Sequence, residues 1–284
     1  MHPTDGPSPV HRLVVYYQTQ CEGKDDKTSK YISPTPLIGL ASHLIVGAFH
    51  LDGNIARMQG SGVKVLGMLG GAAQGSYRNL YDHFDDWYGR LSECIKEYKL
   101  DGIDLDIEET VVEEDKKTKE QKNKLFDLLK KFIPKLKADF GADFIITFAP
   151  VAYALKGGTD PFSQVKYSEI ESNSFYSDFG VMSATNDYIE IVENNGWNPS
   201  RIVAGTITNS DHGGPFKPLD QVRTTVRKLL QKYGHRFGGL AAWEYSKSEP
   251  DPEEPWNWAA TMKVTMDNWK EVLVKEIIVS SDDK

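Results

Sequence analysis

The sequence is short of the features that mark several large classes of protein. Its 284 residues include only two cysteines, Cys21 and Cys94, which are too few for a disulfide framework and too isolated for a zinc site. No Asn-x-Ser/Thr glycosylation acceptor occurs, because Asn198-Pro199-Ser200 carries the excluded proline. Both observations favour a cytosolic protein over a secreted, disulfide-rich one.

Long apolar runs and positive charge are also scarce. No run approaches the roughly 18 residues of a membrane span, and the polar, proline-rich first twelve residues lack the apolar core of a signal peptide. With 33 Lys and Arg against 41 Asp and Glu, the net charge of -8 disfavours nucleic acid and anionic membrane surfaces as partners. As written, the chain is expected to be cytoplasmic, or secreted if a leader has been removed.

Short apolar runs bounded by turn residues predict eight strands, and most of them are apolar almost throughout, as is typical of a parallel sheet covered on both faces. They are Leu13 to Gln18, His43 to Leu51, Val63 to Leu69, Gly102 to Ile107, Phe144 to Val151, Asn173 to Phe179, Ile202 to Thr208 and Gly238 to Tyr245.

Helical patterns lie between these strands, and we expect two short or irregular helices where the strands are closely spaced. The clearest patterns are Asp82 to Lys99, Asp115 to Ala138, Tyr188 to Asn194, Asp220 to Tyr233 and Trp256 to Ile277. Eight strand–helix units over about 250 residues predict an α/β protein with a single (β/α)8 TIM barrel. An open doubly wound sheet is the alternative, but no G-x-G-x-x-G follows the first strand. We expect a disordered extension over 1–11, the barrel over 12–278 and a tail over 279–284.

A row of acids on the fourth predicted strand is the most informative segment. Asp104, Asp106 and Glu108 recur at every second residue, so on a strand they point to one side while the apolar residues between them point to the other. In a barrel these acids would project inward and rise toward the C-terminal mouth, where such enzymes place their active sites. Because neighbouring carboxylates raise one another's pKa, Glu108, nearest the mouth, is a candidate general acid.

Two other interpretations of the acidic row are open at this point. One is a solvated acidic turn, although a turn does not explain the strict alternation of acids with apolar residues. The other is a magnesium phosphohydrolase built on Asp-x-Asp. A calcium-binding EF-hand loop is excluded, because Leu105 and Ile107 stand where polar residues are needed.

The segment Asp101-Gly102-Ile103-Asp104-Leu105-Asp106-Ile107-Glu108 resembles the D-G-x-D-x-D-x-E signature of glycoside hydrolase family 18, the chitinase family. Other strands carry similar motifs: the second reads Ala48-Phe49, the fifth Thr147-Phe148-Ala149-Pro150, and the eighth Gly238-Gly239-Leu240-Ala241-Ala242-Trp243. The family's S-x-G-G reads Met68-Leu69-Gly70-Gly71 here, so the serine is lost and the glycine pair is kept. The sixth strand, Asn173-Ser174-Phe175-Tyr176, departs further and keeps only the tyrosine.

The resemblance implies a site for a chitooligosaccharide or another glycan that contains N-acetylglucosamine. Its implied catalytic residues are Glu108, Asp106, Asp104 and Tyr176. Its implied substrate-binding residues are Trp243, Phe49, Tyr16 (Tyr17 if the register slips), Gly70, Gly71 and Asp101. Trp243 would form the floor of the sugar subsite next to the cleaved bond, and Tyr176 would bind the acetyl carbonyl. No metal and no cofactor is expected, and we expect a monomer.

The implied reaction is hydrolysis of a β-1,4 bond next to N-acetylglucosamine with the substrate's acetamido group as nucleophile, an exception to the two-carboxylate scheme. Glu108 would act as acid and then as base, Asp106 would bind the acetamido N–H, and Asp104 would share a proton beneath it. An endo-β-N-acetylglucosaminidase that cuts the chitobiose core of N-glycans fits the same acidic row. A chitinase-like lectin is the non-catalytic alternative, although such relatives characteristically lose the acid that is present here as Glu108.

Overall fold

The structure is a computed structural model that describes residues 11–23, 30–47, 53–115, 117–169, 175–178 and 185–269. For 53, 169, 175–178, 185 and 186 it describes the backbone alone. The predicted extension over 1–11 (except residue 11) and the tail over 279–284 lie outside these ranges, so the domain boundaries stay predictions. Within the same ranges, no helix has the length and apolar character needed to cross a bilayer.

Eight parallel strands form a closed barrel in which each strand pairs with the next, and β8 pairs with β1. The strands are β1 Arg12–Tyr17, β2 His43–Val46, β3 Lys64–Gly70, β4 Gly102–Asp106, β5 Ile145–Phe148, β6 Phe175–Asp178, β7 Ile202–Ile207 and β8 Gly239–Trp243. Each lies within a predicted strand or begins or ends one residue outside it. The predicted (β/α)8 barrel is therefore confirmed, and the open doubly wound sheet is excluded.

Helices follow the strands and cover the outside of the barrel. They are α1 Gly53–Gly60, α2 Ser76–Asp82, α3 Phe84–Glu97, α4 Leu125–Phe140, α5 Ala152–Leu155, α6 Thr185–Ile189, α7 Leu219–Tyr233 and α8 Trp256–Asp267. A π-helical segment, Glu190–Asn194, continues α6. The two short helices expected from close strand spacing are α1 and α5. The sequence pattern predicts a last helix that continues to Ile277, and the final residues of that range lie outside the described part of the chain.

The barrel strands divide their side chains between two apolar layers, as the two-residue period of a strand requires. On β1, Leu13, Val15 and Tyr17 face outward and belong to the large core between strands and helices. Val14 and Tyr16 face inward and belong to a smaller cluster inside the barrel. On β4 this alternation leaves the inward positions to the acids.

The lysine-rich stretch that follows β4 is predicted from the sequence to begin a helix, and this prediction is wrong. A two-stranded hairpin occupies it, with Val112–Glu114 paired to Gln121–Asn123. The carboxylate of Asp115 accepts hydrogen bonds from the backbone N–H groups of Lys117 and Thr118 at 2.7 and 2.8 Å. An aspartate that binds the amides of its own turn competes with helix formation, so α4 begins only at Leu125.

Candidate active site

The three acids of β4 and the loop after it lie at increasing exposure toward the C-terminal mouth of the barrel. Asp104 is completely buried, Asp106 is 5% exposed, and Glu108 is partly exposed just beyond the strand end. The residues that alternate with them, Ile103, Leu105 and Ile107, all belong to the outer core. The row therefore runs from the barrel interior, along β4, to the partly exposed position just after the strand.

Asp104 is held by two hydroxyl groups from other strands. Tyr16 on β1 donates to Oδ2 at 3.0 Å, and Thr147 on β5 donates to Oδ1. Burial raises the pKa of Asp104 to about 6, while these two hydrogen bonds favour the charged form and act in the opposite direction. The two hydroxyl donors thus favour the ionised carboxylate, although it is completely buried.

Asp106 lies above Asp104 and has the more strongly perturbed pKa. Burial, then the charge of Asp104, then that of Glu108 raise it to about 8. At pH 7 we therefore expect the Asp104–Asp106 pair to hold one proton, mainly on Asp106. The sequence predicts a retained proton on Glu108, and the raised pKa of Asp106 predicts a second proton on the carboxylate pair.

The glycine pair at the end of β3 lets the backbone pass against Asp106. Gly70 and Gly71 have φ values of +107° and +90°, and the N–H of Gly71 donates to the carbonyl oxygen of Asp106 at 2.8 Å. A Cβ at position 70 would overlap that same carbonyl oxygen. These contacts explain both glycines by backbone packing, so the direct substrate contact proposed for them is not needed to account for them.

Glu108 has the properties of a proton donor that solvent can reach. Burial raises its pKa, and the charge of Asp160 adds to the rise. Asp160 is itself buried in the loop after α5, where its Oδ1 accepts hydrogen bonds from the backbone N–H groups of Phe162 and Ser163 and from the Ser163 hydroxyl. A raised pKa keeps a carboxyl group protonated closer to neutral pH, as general acid catalysis requires.

Glu109, the residue after Glu108, connects the end of β4 to a neighbouring loop by hydrogen bonds. The buried carboxylate of Glu109 accepts hydrogen bonds from the backbone N–H groups of Gly75 and Tyr77 at 2.7 and 2.6 Å. These amides lie at the start of α2, whose free N–H groups favour a negative charge. Glu109 therefore ties the end of β4 to the loop that follows β3.

Trp243, the last residue of β8, is partly buried beside the acid row. Its ring lies 5.3 Å from the ring of Tyr16, between centroids, and Tyr16 in turn binds Asp104. The next residue, Glu244, accepts hydrogen bonds from the backbone N–H groups of Gln18 and Thr19 at 3.0 and 2.7 Å. Glu244 thus fixes the ends of β8 and β1 together at the mouth.

Two sequence-based assignments of substrate contact are wrong. Asp101 precedes β4, at the opposite end of the strand from the mouth, and its carboxylate binds the Val65 N–H and the Lys64 ammonium group, each at 2.9 Å. Tyr16 faces inward as expected, but it is buried and its hydroxyl binds Asp104, so it does not face a sugar directly. The slipped register is excluded as well, because Tyr17 lies in the outer core.

Two other predicted site residues cannot be placed by their side chains. Phe49 lies outside the described residues. Tyr176 lies on β6, where the described backbone pairs it with Phe148 and Ile202, and its side chain lies outside the described part. Both assignments stay predictions.

Sequence reasoning missed the roles of four residues that build the site: Thr147, Glu109, Asp160 and Glu244. The role of Thr147 could have been predicted, because Thr147 occupies an inward position on the strand next to the acids. Glu109 adjoins the signature but contacts residues more than thirty positions away. In the part of the chain that the structure describes, no group of three or more His, Cys, Asp or Glu residues is arranged to hold a metal ion.

Comparisons with known proteins identify the family. A fungal endo-β-N-acetylglucosaminidase from glycosyl hydrolase family 18 is 33% identical, with 90% of this chain and 98% of that chain covered and a TM-score of 0.75. The chitinase ChiC from Aspergillus fumigatus is also 33% identical, with 90% and 99% covered and a TM-score of 0.70. This chain belongs to glycoside hydrolase family 18.

The family 18 fold extends to more distant proteins. A family 18 chitinase from Pseudoalteromonas aurantia shares 17% identity over 89% of this chain and 99% of that one, with a TM-score of 0.66, and shows the fold alone. No family model matches the chain, and no curated protein matches it. The predicted family membership and glycoside hydrolase class are confirmed by the two 33% identical structures.

Proposed function

We propose that this family 18 enzyme hydrolyses β-1,4 bonds next to N-acetylglucosamine in chitin or chitooligosaccharides, with retention of configuration. The observation that carries the proposal is the graded acid row. Asp104 is completely buried between two hydroxyl donors, the pKa of Asp106 above it is raised to about 8, and Glu108 is partly exposed with a raised pKa. Such a row offers a proton donor to the leaving oxygen and a charged pair beneath the reacting sugar.

In the proposed reaction, Glu108 donates its proton to the glycosidic oxygen as the bond to the anomeric carbon breaks. The acetamido oxygen of the substrate forms the new bond to that carbon and gives a positively charged oxazolinium ring, so no protein nucleophile is needed. Ionised Glu108 then takes a proton from water, whose oxygen opens the ring from the face that the leaving group vacated. Two displacements give retained configuration.

The carboxylate pair would meet the charge that develops during the first displacement. An oxygen of Asp106 accepts the acetamido N–H and orients the acetyl group for attack. As positive charge builds on the ring, it favours the ionised form of Asp106, and ionised Asp104 is the coupled group that can take the proton. Trp243 would stack under the sugar at the cleaved bond, and Tyr176 stays the predicted partner of the acetyl carbonyl.

An endo-β-N-acetylglucosaminidase is the second candidate, and a specific observation favours it. This chain is as similar to the fungal enzyme of that name as to the Aspergillus chitinase, at 33% identity to each. Both activities cleave next to N-acetylglucosamine, and the acid row suits both. Products formed from chitin oligomers and from a high-mannose glycopeptide would distinguish the two candidates.

Turnover of a chitotrioside with an unactivated leaving group tests the proposal directly. We expect Glu108→Gln to lower the rate by about 10²- to 10⁴-fold, because the amide has no proton to donate. Glu113→Gln is the matched control, since Glu113 is an exposed glutamate on the hairpin that follows. Wild-type activity in Glu108→Gln would refute the assigned general acid, and an inactive wild type that binds chitooligosaccharides would favour a lectin.

The nucleophile is tested by changing the substrate. Cellooligosaccharides have a hydroxyl group in place of the acetamido group, so we expect no hydrolysis of them. A thiazoline analogue of the bicyclic intermediate should bind much more tightly than the free sugar. Efficient cleavage of cellooligosaccharides would instead indicate an ordinary two-carboxylate glycosidase.

A further inference from the structure

We propose that Thr147 is a positioning residue, which holds the carboxylate of Asp104 in place and supplies from β5 the hydroxyl group that β3 lacks at Met68. This inference rests on the proposed function, because Asp104 matters for turnover only if the acid row is catalytic. Thr147 opens the fifth-strand motif, but neither that motif nor the acidic signature gives it a role.

Strand register places two side chains symmetrically about Asp104. β4 pairs with β3 on one side and with β5 on the other, and Asp104 is opposite Met68 on β3 and Thr147 on β5. Side chains at paired positions of neighbouring strands point to the same face of the sheet. Positions 68 and 147 are therefore the two places in this layer of the barrel from which a neighbouring strand can reach the Asp104 carboxylate.

The two positions differ in what they can donate. A methionine thioether has no hydrogen to donate, so Met68 cannot stabilise a carboxylate by a hydrogen bond. Thr147 is fully buried and donates its hydroxyl to Oδ1 of Asp104. The loss of the serine from the S-x-G-G motif thus leaves Asp104 with a donor from the opposite side.

Together with Tyr16, Thr147 gives each oxygen of Asp104 a separate hydroxyl donor. Tyr16 binds Oδ2 and Thr147 binds Oδ1, so the plane of the carboxylate is fixed from both sides. A buried carboxylate that loses one of two such donors is left with an unsatisfied oxygen, at a large cost in free energy. Protonation relieves that cost, so loss of the Thr147 bond favours the neutral acid.

Protonation of Asp104 would move charge within the site. The titratable groups that face Asp104 are Tyr16 from β1, Asp106 from its own strand, and Tyr77 from α2. Phenol groups are neutral at pH 7, so Asp106 is the group that responds. A neutral Asp104 no longer raises the pKa of Asp106, and it cannot take the proton of Asp106 when the oxazolinium ring forms.

Thr147→Val tests the inference, because valine keeps the shape of threonine and removes the hydroxyl group. We expect kcat/KM on a chitotrioside to fall about 10- to 100-fold, the usual consequence of removing a buried hydrogen bond to a charged group. The acid limb of the pH profile should also move to higher pH, since Asp104 becomes easier to protonate. A purely structural role would lower the folded fraction without moving that limb.

Three further variants separate the hydroxyl group from side-chain shape and position. Thr147→Ser keeps the hydroxyl and should retain the wild-type pH profile, and Met68→Ser in the Thr147→Val background should recover activity from the other side of Asp104. If Thr147→Val does not fold, Thr147→Ala is used in the same assays. Unchanged kinetics in Thr147→Val would overturn the inference, and so would a serine variant as impaired as valine. Failure of Met68→Ser to restore activity would overturn the equivalence of the two positions.

A substrate-free measurement distinguishes this inference from the proposed function. The Asp104 and Asp106 carboxyl carbons can be titrated by ¹³C NMR in the wild-type protein and in Thr147→Val. An upward shift of the Asp104 titration in the variant supports the positioning role even if the wild type hydrolyses none of the substrates tested. An unchanged titration overturns it even if the wild type is an active chitinase.

Discussion

Replacing Asp106 by asparagine should change how the stability of the barrel depends on pH. The side chain is 5% exposed, and its pKa rises from 3.8 to about 8 in the folded protein, with burial as the largest cause. Between these two values the folded protein holds a proton that the unfolded chain has released. Stability from this group is therefore fully present below pH 3.8 and is lost as pH rises toward 8.

The size of this loss follows from one proton per molecule. One bound proton changes the free energy of unfolding by about 1.4 kcal/mol per pH unit. From pH 5 to pH 7, Asp106 should therefore destabilise the wild-type protein by about 2.7 kcal/mol, because both pH values lie inside the interval. An asparagine side chain at this position binds no proton in this range, and the titration of Asp104 occurs in both proteins.

Urea unfolding at pH 5, 6 and 7 measures the difference between wild type and Asp106→Asn. We expect the stability of the variant relative to wild type to improve by about 2.7 kcal/mol across the series, at about 1.4 kcal/mol per step. Asp220→Asn is the control, since the side chain of Asp220 is 88% exposed on α7 and should give a constant difference. A difference for Asp106→Asn that stays constant from pH 5 to pH 7 would show that the carboxyl group does not hold its proton.

Two other substitutions test backbone packing and sugar binding at the mouth of the barrel. In urea unfolding, Gly70→Ala should destabilise the fold by at least about 2 kcal/mol, because the φ of Gly70 is +107° and the new Cβ would overlap the Asp106 carbonyl. Gly89→Ala in α3 is the control, since its Cβ would meet no other atom and the change should be neutral or stabilising. Trp243→Ala should weaken chitooligosaccharide binding measured by calorimetry. Trp87 is a partly exposed tryptophan on α3, so Trp87→Ala should leave binding unchanged. Equal binding by the two variants would refute the stacking role of Trp243.

The sequence predicted the fold well because strand period and strand spacing are local signals. The eight strands follow from short apolar runs bounded by turn residues, and the inward direction of Asp104 and Asp106 follows from alternation within one strand. The same rule excludes Asp101 from that face, because an odd position on this strand points with Ile103 and Leu105. Asp101 was assigned to the site because it is part of the family signature, although its odd position in the segment places it on the other face.

Contacts between distant segments were beyond the reach of local patterns. The carboxylate of Glu109 binds amides that lie more than thirty residues earlier, and Glu244 binds the end of β1 more than two hundred residues away. The hairpin after β4 depends on whether Asp115 binds its own turn or begins a helix, and composition favours neither strongly. The contacts of Glu109 and Glu244 need the closed barrel, which brings loops of different units to one edge, whereas the hairpin is a local alternative to a helix start.

The change at Met68 illustrates why a motif is best compared by the atoms it supplies. Asp104 has one oxygen directed to β1 and the other within reach of β5, and both receive hydroxyl donors although the β3 position offers none. The residue at position 68 alone therefore indicates that a hydroxyl group is lost. The contacts of Asp104 show that each of its carboxylate oxygens still has a hydroxyl donor. Because each strand of a barrel has two neighbours, either adjacent strand can supply the hydroxyl donor to a buried acid, and the position of the acid stays the same. The departure from S-x-G-G therefore leaves both carboxylate oxygens of Asp104 with hydroxyl donors, as the role proposed for this acid requires.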